Sequence, residues 1–348
     1  MLFSAISLLC ALLIGFAAHR ASLCNVRAVA EIMSTGSAHM LWSLLQAVLW
    51  MATLTGVLMV GFGQLPQPAF ARTPVVWALA GGGLFGIGAA LNGGCSLSTL
   101  HRLADGELGM LATLGGFALG VTGWRVALAA RWPADVSPVV SVWLRWPDFA
   151  PWLLTALLAW ALLRLLWFRQ LARQHAATPM RQRLLAPSYH LSMAAALMGV
   201  AGGLLYATQG PWSYTNYLRT TVLHALGNAE ATARWHGVLV VALMSGMLAS
   251  ALQRGSLTWR LPHHASVWLR HAGGGALMGV GAAMLPGGND TLLLNGLPTL
   301  TVTAISAYVF MLLGIASVLW WMRHADMPMP SLACTPAGCH EQGAARPK

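Results

Sequence analysis

Two cysteines stand where a thiol could do chemistry inside an otherwise apolar chain. Cys95 follows a helix break directly, in Asn92-Gly93-Gly94-Cys95-Ser96-Leu97-Ser98-Thr99-Leu100. If a half-helix starts here, the thiol lies beside free N–H groups and a positive dipole end, which attract anions and favour thiolate. Cys24 lies in His19-Arg20-Ala21-Ser22-Leu23-Cys24-Asn25-Val26-Arg27, a polar stretch leading into an apolar run, 28–33, too short to cross a bilayer. A re-entrant element fits that pattern. A second break, Pro286-Gly287-Gly288-Asn289-Asp290, sets a carboxylate just before Thr291. Asp290 reads as a cap of the half-helix starting at Thr291 or as a coupling-ion site. Gly210-Pro211 resembles another break and makes Tyr214 and Thr215 candidates to line a pathway. Cys334 and Cys339 form a Cys-x4-Cys-His run with too few local ligands for a metal site.

The elements that must hold these residues follow from composition. Of 348 residues, 57% are hydrophobic and 8% charged, against roughly 25% charged in soluble domains. Lipid is therefore the solvent for most of the chain. The formal charge of +11 lies mainly between apolar runs, which fits orientation signals and anionic lipid rather than nucleic acid. The N-terminus is apolar from Met1 and reads as a retained span. Five scattered cysteines do not suggest a disulfide framework, and Cys10 reads as apolar filler.

Crossing the hydrocarbon core takes roughly 20 apolar residues. Candidate spans are 1–18, 39–62, 75–91, 108–128, 151–168, 189–208, 236–252, 272–286 and 299–322, giving an all-α, polytopic fold of about nine transmembrane helices. Arg169, Arg173, Arg181 and Arg183, and then Arg254, Arg260 and Arg270, mark cytoplasmic connections. Counting outward puts the N-terminus outside and the C-terminus, with Arg323, Arg346 and Lys348, in the cytoplasm. Residues 81–94 and 274–287 match at eight of 14 positions: Gly81, Gly82, Leu84, Gly86, Gly88, Ala89, Ala90 and Gly94 have identical partners 193 residues on. Five spans separate the copies, so they face opposite ways. Inverted repeats of this kind bring broken helices together near the midplane around a substrate. The halves are 1–168 and 188–323, joined by a basic cytoplasmic linker, 169–187, and followed by a disordered cytoplasmic tail, 324–348. Gly82 and Gly86, like Gly275 and Gly279, form GxxxG pairs for close helix packing.

Ser22-Leu23-Cys24-Asn25, the run from Gly86 to Leu100, and Gly210-Pro211-Trp212-Ser213-Tyr214-Thr215 together resemble the YeeE/YedE sulfur-transport family. The resemblance extends from about residue 10 to 320, and its Gly-Gly-Cys-Ser-Leu segment is the most specific part. It implies a bacterial inner-membrane permease for a small sulfur-containing anion, thiosulfate or a related reduced-sulfur species. Cys24 and Cys95 would then be relay thiols, with Asn92, Gly94, Ser96, Gly288, Asn289, Tyr214 and Thr215 along the path. The chain departs from the family where a third cysteine is usual: Gly288 stands there instead.

Neither a cofactor nor a resident metal is expected, and no P-loop supplies ATP hydrolysis. Two other functions fit the residues less well. One is an intramembrane thiol oxidoreductase or sulfurtransferase using Cys24 and Cys95; the other is a membrane anchor for a soluble cytoplasmic sulfur-carrier protein.

Overall fold

A computed structural model describes residues 2–63, 73–128, 141–174, 186, 189–227, 234–327, 332–335 and 338–341. Arg181, Arg183, Glu230, Arg346 and Lys348, which bear on the expected loops and tail, lie outside them. The helices are α1 (Leu2–Ala21), α2 (Asn25–Thr35), α3 (His39–Gly56), α4 (Val75–Asn92), α5 (Ser96–Ala104), α6 (Met110–Gly123) and α7 (Val142–Arg145). There follow α8 (Ala150–Gln174), α9 (Leu191–Gln209), α10 (Tyr214–Ala225), α11 (Arg234–Arg254), α12 (Ala265–Met284), α13 (Asn289–Thr291) and α14 (Val302–His324). Helices α3, α6 and α13 run on as π-helical turns to Gly61, Leu128 and Gly296.

Seven stretches among the described residues are long and apolar enough to cross a membrane, so the chain is an all-α polytopic membrane protein. Three of them, Phe3–Thr35, Val75–Ala104 and Leu191–Ala225, join a long helix to a shorter one across a break. The remaining expected spans, 108–128 and 272–286, fall on α6 and α12. Helix α6 has only 14 α-helical residues before its π turn, and α12 is diluted by Arg270, His271 and three successive glycines.

Small residues set how closely the helices approach. A Cβ on Gly82 or Gly86 would lie 2.2 or 2.1 Å from the carbonyl oxygens of Ala307 and Met311 on α14. One on Gly275 or Gly279 would lie 2.2 or 2.1 Å from those of Thr113 and Phe117 on α6. The GxxxG pairs thus serve direct backbone contact, as their spacing predicts. Helices α4 and α12 cross with Gly81 against Gly281 and Gly88 against Gly274.

At one end of the bundle the turn after α5 is zipped to the turn after α11: Thr258 N–H donates to Asp105 O and Arg260 N–H to Gly106 O, both at 2.9 Å. Beyond α14, where the sequence reads as disordered, β1 (Leu332–Thr335) and β2 (Gly338–Glu341) pair antiparallel with Cys334 opposite Cys339. Strand β1 packs on α2 and α3. Cys334 is buried and disulfide-bonded. Packing against helices stabilises a short hairpin that would be marginal alone.

Candidate functional site

Four breaks, after α1, α4, α9 and α12, generate the site. After α4, Gly93 takes φ +76° and ends the helix, and the chain re-enters as α5 with Cys95 at the N-cap. After α1, the chain turns through Ser22 and Leu23, and Cys24 is the N-cap of α2. The thiols reach each other's helix as well as their own: Cys95 N–H donates to Cys24 Sγ at 3.5 Å, and Cys95 Sγ accepts from the N–H groups of Asn25 and of Ser98. Both cysteines are 1% exposed and free.

Asn92 braces the first break rather than lining it. Its amide donates to Gly94 O at 3.0 Å and Thr99 Oγ1 at 3.1 Å, while its oxygen accepts from Thr113 Oγ1 at 2.7 Å and pairs with His271 Nδ1 at 2.8 Å. Every hydrogen-bonding site of the side chain is used. Gly94 is required by space, since its Cβ would lie 2.6 Å from Ser98 Oγ.

The second-half break meets the first directly. Ser96 donates to Asn289 Oδ1 through both its N–H, at 3.3 Å, and its hydroxyl. Those two residues are 193 apart, the offset of the glycine repeat. Next to them, Asp290 accepts from Thr215 N–H at 3.1 Å, from the Thr215 hydroxyl and from Thr291 N–H, with Ser96 Oγ at 3.5 Å. The sequence reading of Asp290 as a cap of its own half-helix is therefore only part of its role. The carboxylate also caps α10 across the junction, and it forms no ion pair among the described residues. Tyr214, Asn289, Asp290, Leu97, Trp212 and Leu293 line a cavity of about 20 Å³. That holds about one water, too little for a polyatomic anion.

At Gly288, the position facing Cys95 in the repeat, a Cβ would lie 2.6 Å from the Phe85 ring and 3.1 Å from Thr215 Cγ2. Its φ of −98° suits any residue; the aromatic ring, rather than the backbone, leaves no room for a side chain.

Sequence reasoning gave no role to Phe85 or Ser213, and quoted Asn25 only as part of a motif. Ser213 caps α10 by accepting from Asn216 N–H and contacts Thr291 Oγ1 at 2.5 Å. Asn25 is fully buried, takes the Tyr308 hydroxyl on its oxygen at 2.9 Å, and leaves Nδ2 without a partner beside the thiols. Its place next to Cys24 was the only signal available. Past the first break, His101 is buried with Nε2 lacking a partner among the described residues, while Arg102 is partly exposed. His101 is 4% exposed, and Arg102 pairs with Glu107 at 2.6 Å and donates to Asn92 O at 3.3 Å.

At the bundle end beyond α5, His19 Nε2 contacts Asp105 Oδ1 at 3.1 Å and His19 Nδ1 contacts Ser250 Oγ at 2.9 Å. With a carboxylate as acceptor, Nε2 donates. Burial alone would push the Asp105 carboxyl up, but hydrogen bonds from His19 and Ser256 outweigh it and hold it below the usual carboxylate range. Among the described residues, no group of three or more His, Cys, Asp or Glu side chains could hold a metal ion.

A sulphur-transport family profile matches residues 20–317. The chain is also similar to the thiosulfate transporter TsuA of Spirochaeta thermophila, 24% identical over 278 residues, which covers 71% of this chain and 77% of that protein.

Proposed function

We propose that this chain, which belongs to the sulphur transport family, is an inner-membrane permease for thiosulfate or a related reduced-sulfur anion. The observation that carries the reading is the pair of buried thiols at the tips of two half-helices, beside the Ser96–Asn289 contact. Thiol S–H groups are weak donors suited to a soft terminal sulfur, and the N–H groups at helix tips suit anionic oxygens. The similarity to a thiosulfate transporter supports the same cargo. Cys24 and Cys95 pass the anion along by transient hydrogen bonds, with no bond to sulfur made or broken. Flux follows the anion gradient, a coupled ion or consumption of sulfur in the cytoplasm, where a soluble carrier would receive it.

Nine spans in two inverted halves, 1–168 and 188–323, belong to this proposal. Reciprocal contacts support it. Gly81 meets Gly281 and Gly88 meets Gly274, which are the same two repeat positions with the halves exchanged. The contacts of Gly82 and Gly86 on α14 mirror those of Gly275 and Gly279 on α6. A two-fold axis in the membrane plane would generate this pattern. The arginines of the 169–187 and 253–271 connections then face the cytoplasm, with the N-terminus outside.

Asp290 constrains the mechanism. At ~4 Å and an effective dielectric of ~20, each unit of like charge costs on the order of 4 kcal/mol, too much for an anion passing an ionised carboxylate. Under this proposal Asp290 carries a proton when the anion passes. The test of the whole reading is uptake of labelled thiosulfate in a sulfur-auxotrophic host. Wild-type protein should support uptake, and Cys24→Ser and Cys95→Ser should each lower it about tenfold or more, a change of ~1.4 kcal/mol in affinity terms, at unchanged membrane levels. Wild-type protein that takes up no sulfur anion would overturn the proposal.

A further inference from the structure

Away from the thiols, three buried donors gather at one helix junction without an acceptor: Gln46 Nε2, Trp50 Nε1 and Arg164 Nε. Gln46 and Trp50 stand one turn apart on the buried face of α3, 0% and 6% exposed. Arg164 reaches toward them from α8, and its Nη2 donates to Gln46 Oε1 at 2.5 Å. Among the described residues, that amide oxygen is its one hydrogen-bond acceptor and Arg164 forms no ion pair. The guanidinium lies over Trp167 at 4.7 Å and Phe168 at 5.7 Å, while Trp50 packs on Trp160 at 5.2 Å. Only 6% of the apolar window of α8 is buried, so beyond its contact with α3 the helix faces lipid. Arg164 lies ten residues before the end of α8, about 15 Å along the helix, and Arg169 and Arg173 follow toward that end.

We infer that the α3–α8 junction binds the phosphodiester of an anionic phospholipid from the leaflet on the arginine-rich side. A guanidinium stays charged in a bilayer and needs an anion or a route to water. What the junction lacks is an acceptor-only, negatively charged group, and a phosphodiester is one; paired with Arg it forms charge-assisted hydrogen bonds. A buried water would bring two hydrogens of its own to a place that offers mainly donors. A zwitterionic lipid would bring a cation close to Arg164 and Arg169. The indole and phenyl rings around the guanidinium offer an apolar wall for the acyl chains, and a basic helix end favours anionic headgroups.

The test is native mass spectrometry of the full chain released from detergent with added phosphatidylglycerol or phosphatidylcholine. Wild-type protein should retain one phosphatidylglycerol about tenfold more tightly than phosphatidylcholine. Arg164→Gln should abolish that preference, and Trp50→Phe should weaken it. Should Arg164→Gln fail to yield monodisperse protein, Trp50→Phe and Gln46→Leu carry the comparison. Equal retention of the two lipids by the wild type would overturn the inference. So would an Arg164→Gln protein that holds phosphatidylglycerol like the wild type, or release of the bound lipid by millimolar inorganic phosphate, which would mark a free-anion site.

Discussion

At the scale of single residues, the centre of this protein is a set of donors and acceptors brought to the tips of short helices. Cys24 and Cys95 were conspicuous in the sequence because each follows a break in an apolar run. Their mutual capping was not, because it joins residues 71 apart. Gly288 shows the same limit from the other side. As a sequence it reads as a missing thiol that a cysteine would restore, but the Phe85 ring leaves no space for one. Forcing extra atoms into a packed core costs roughly 1–3 kcal/mol. Gly288→Cys alone should therefore lower thermal stability without raising uptake, whereas Gly288→Cys with Phe85→Ala should exceed Phe85→Ala alone. Uptake raised by Gly288→Cys alone would show that the ring yields. For Asp290, Asp290→Asn should remove the dependence of uptake on an imposed proton gradient in proteoliposomes; a dependence that persists would move proton coupling elsewhere.

At the scale of elements, what the sequence made legible was apolar length and glycine spacing. The long helices lie where the apolar runs lie, and the GxxxG glycines meet neighbouring backbones. Gly86→Val should push α4 from α14 and sharply reduce the yield of monodisperse protein, while Gly83→Val, with nothing within 4 Å, should not. Equal yields would mean the close approach of α4 and α14 is dispensable. The polar clamp at the bundle end was not legible, because His19, Asp105 and Ser256 come from three distant segments. The Asp105 carboxyl is held below its ordinary range, so its stabilisation is present above the unfolded-state value of ~3.9 and is lost as pH falls through the folded value. Wild-type protein should melt above Asp105→Asn at pH 7, and the gap should close in more acid solution. A gap unchanged toward pH 3 would contradict the clamp.

At the scale of the whole molecule, a repeat of glycines 193 residues apart foreshadowed that Ser96 and Asn289 would meet. The hairpin of β1 and β2 had no such signal, since so short a segment is ordered only by what it packs against. Under the proposed function, half-helices that converge on two thiols would hold a soft anion by hydrogen bonds alone. The most direct measurement is counterflow of labelled thiosulfate into proteoliposomes of the purified full chain, beside the Cys24→Ser/Cys95→Ser double variant. Label should accumulate with the wild type and rise little above empty liposomes with the variant. Wild-type accumulation matched by the variant would contradict the thiol path, and no accumulation by either would contradict the cargo.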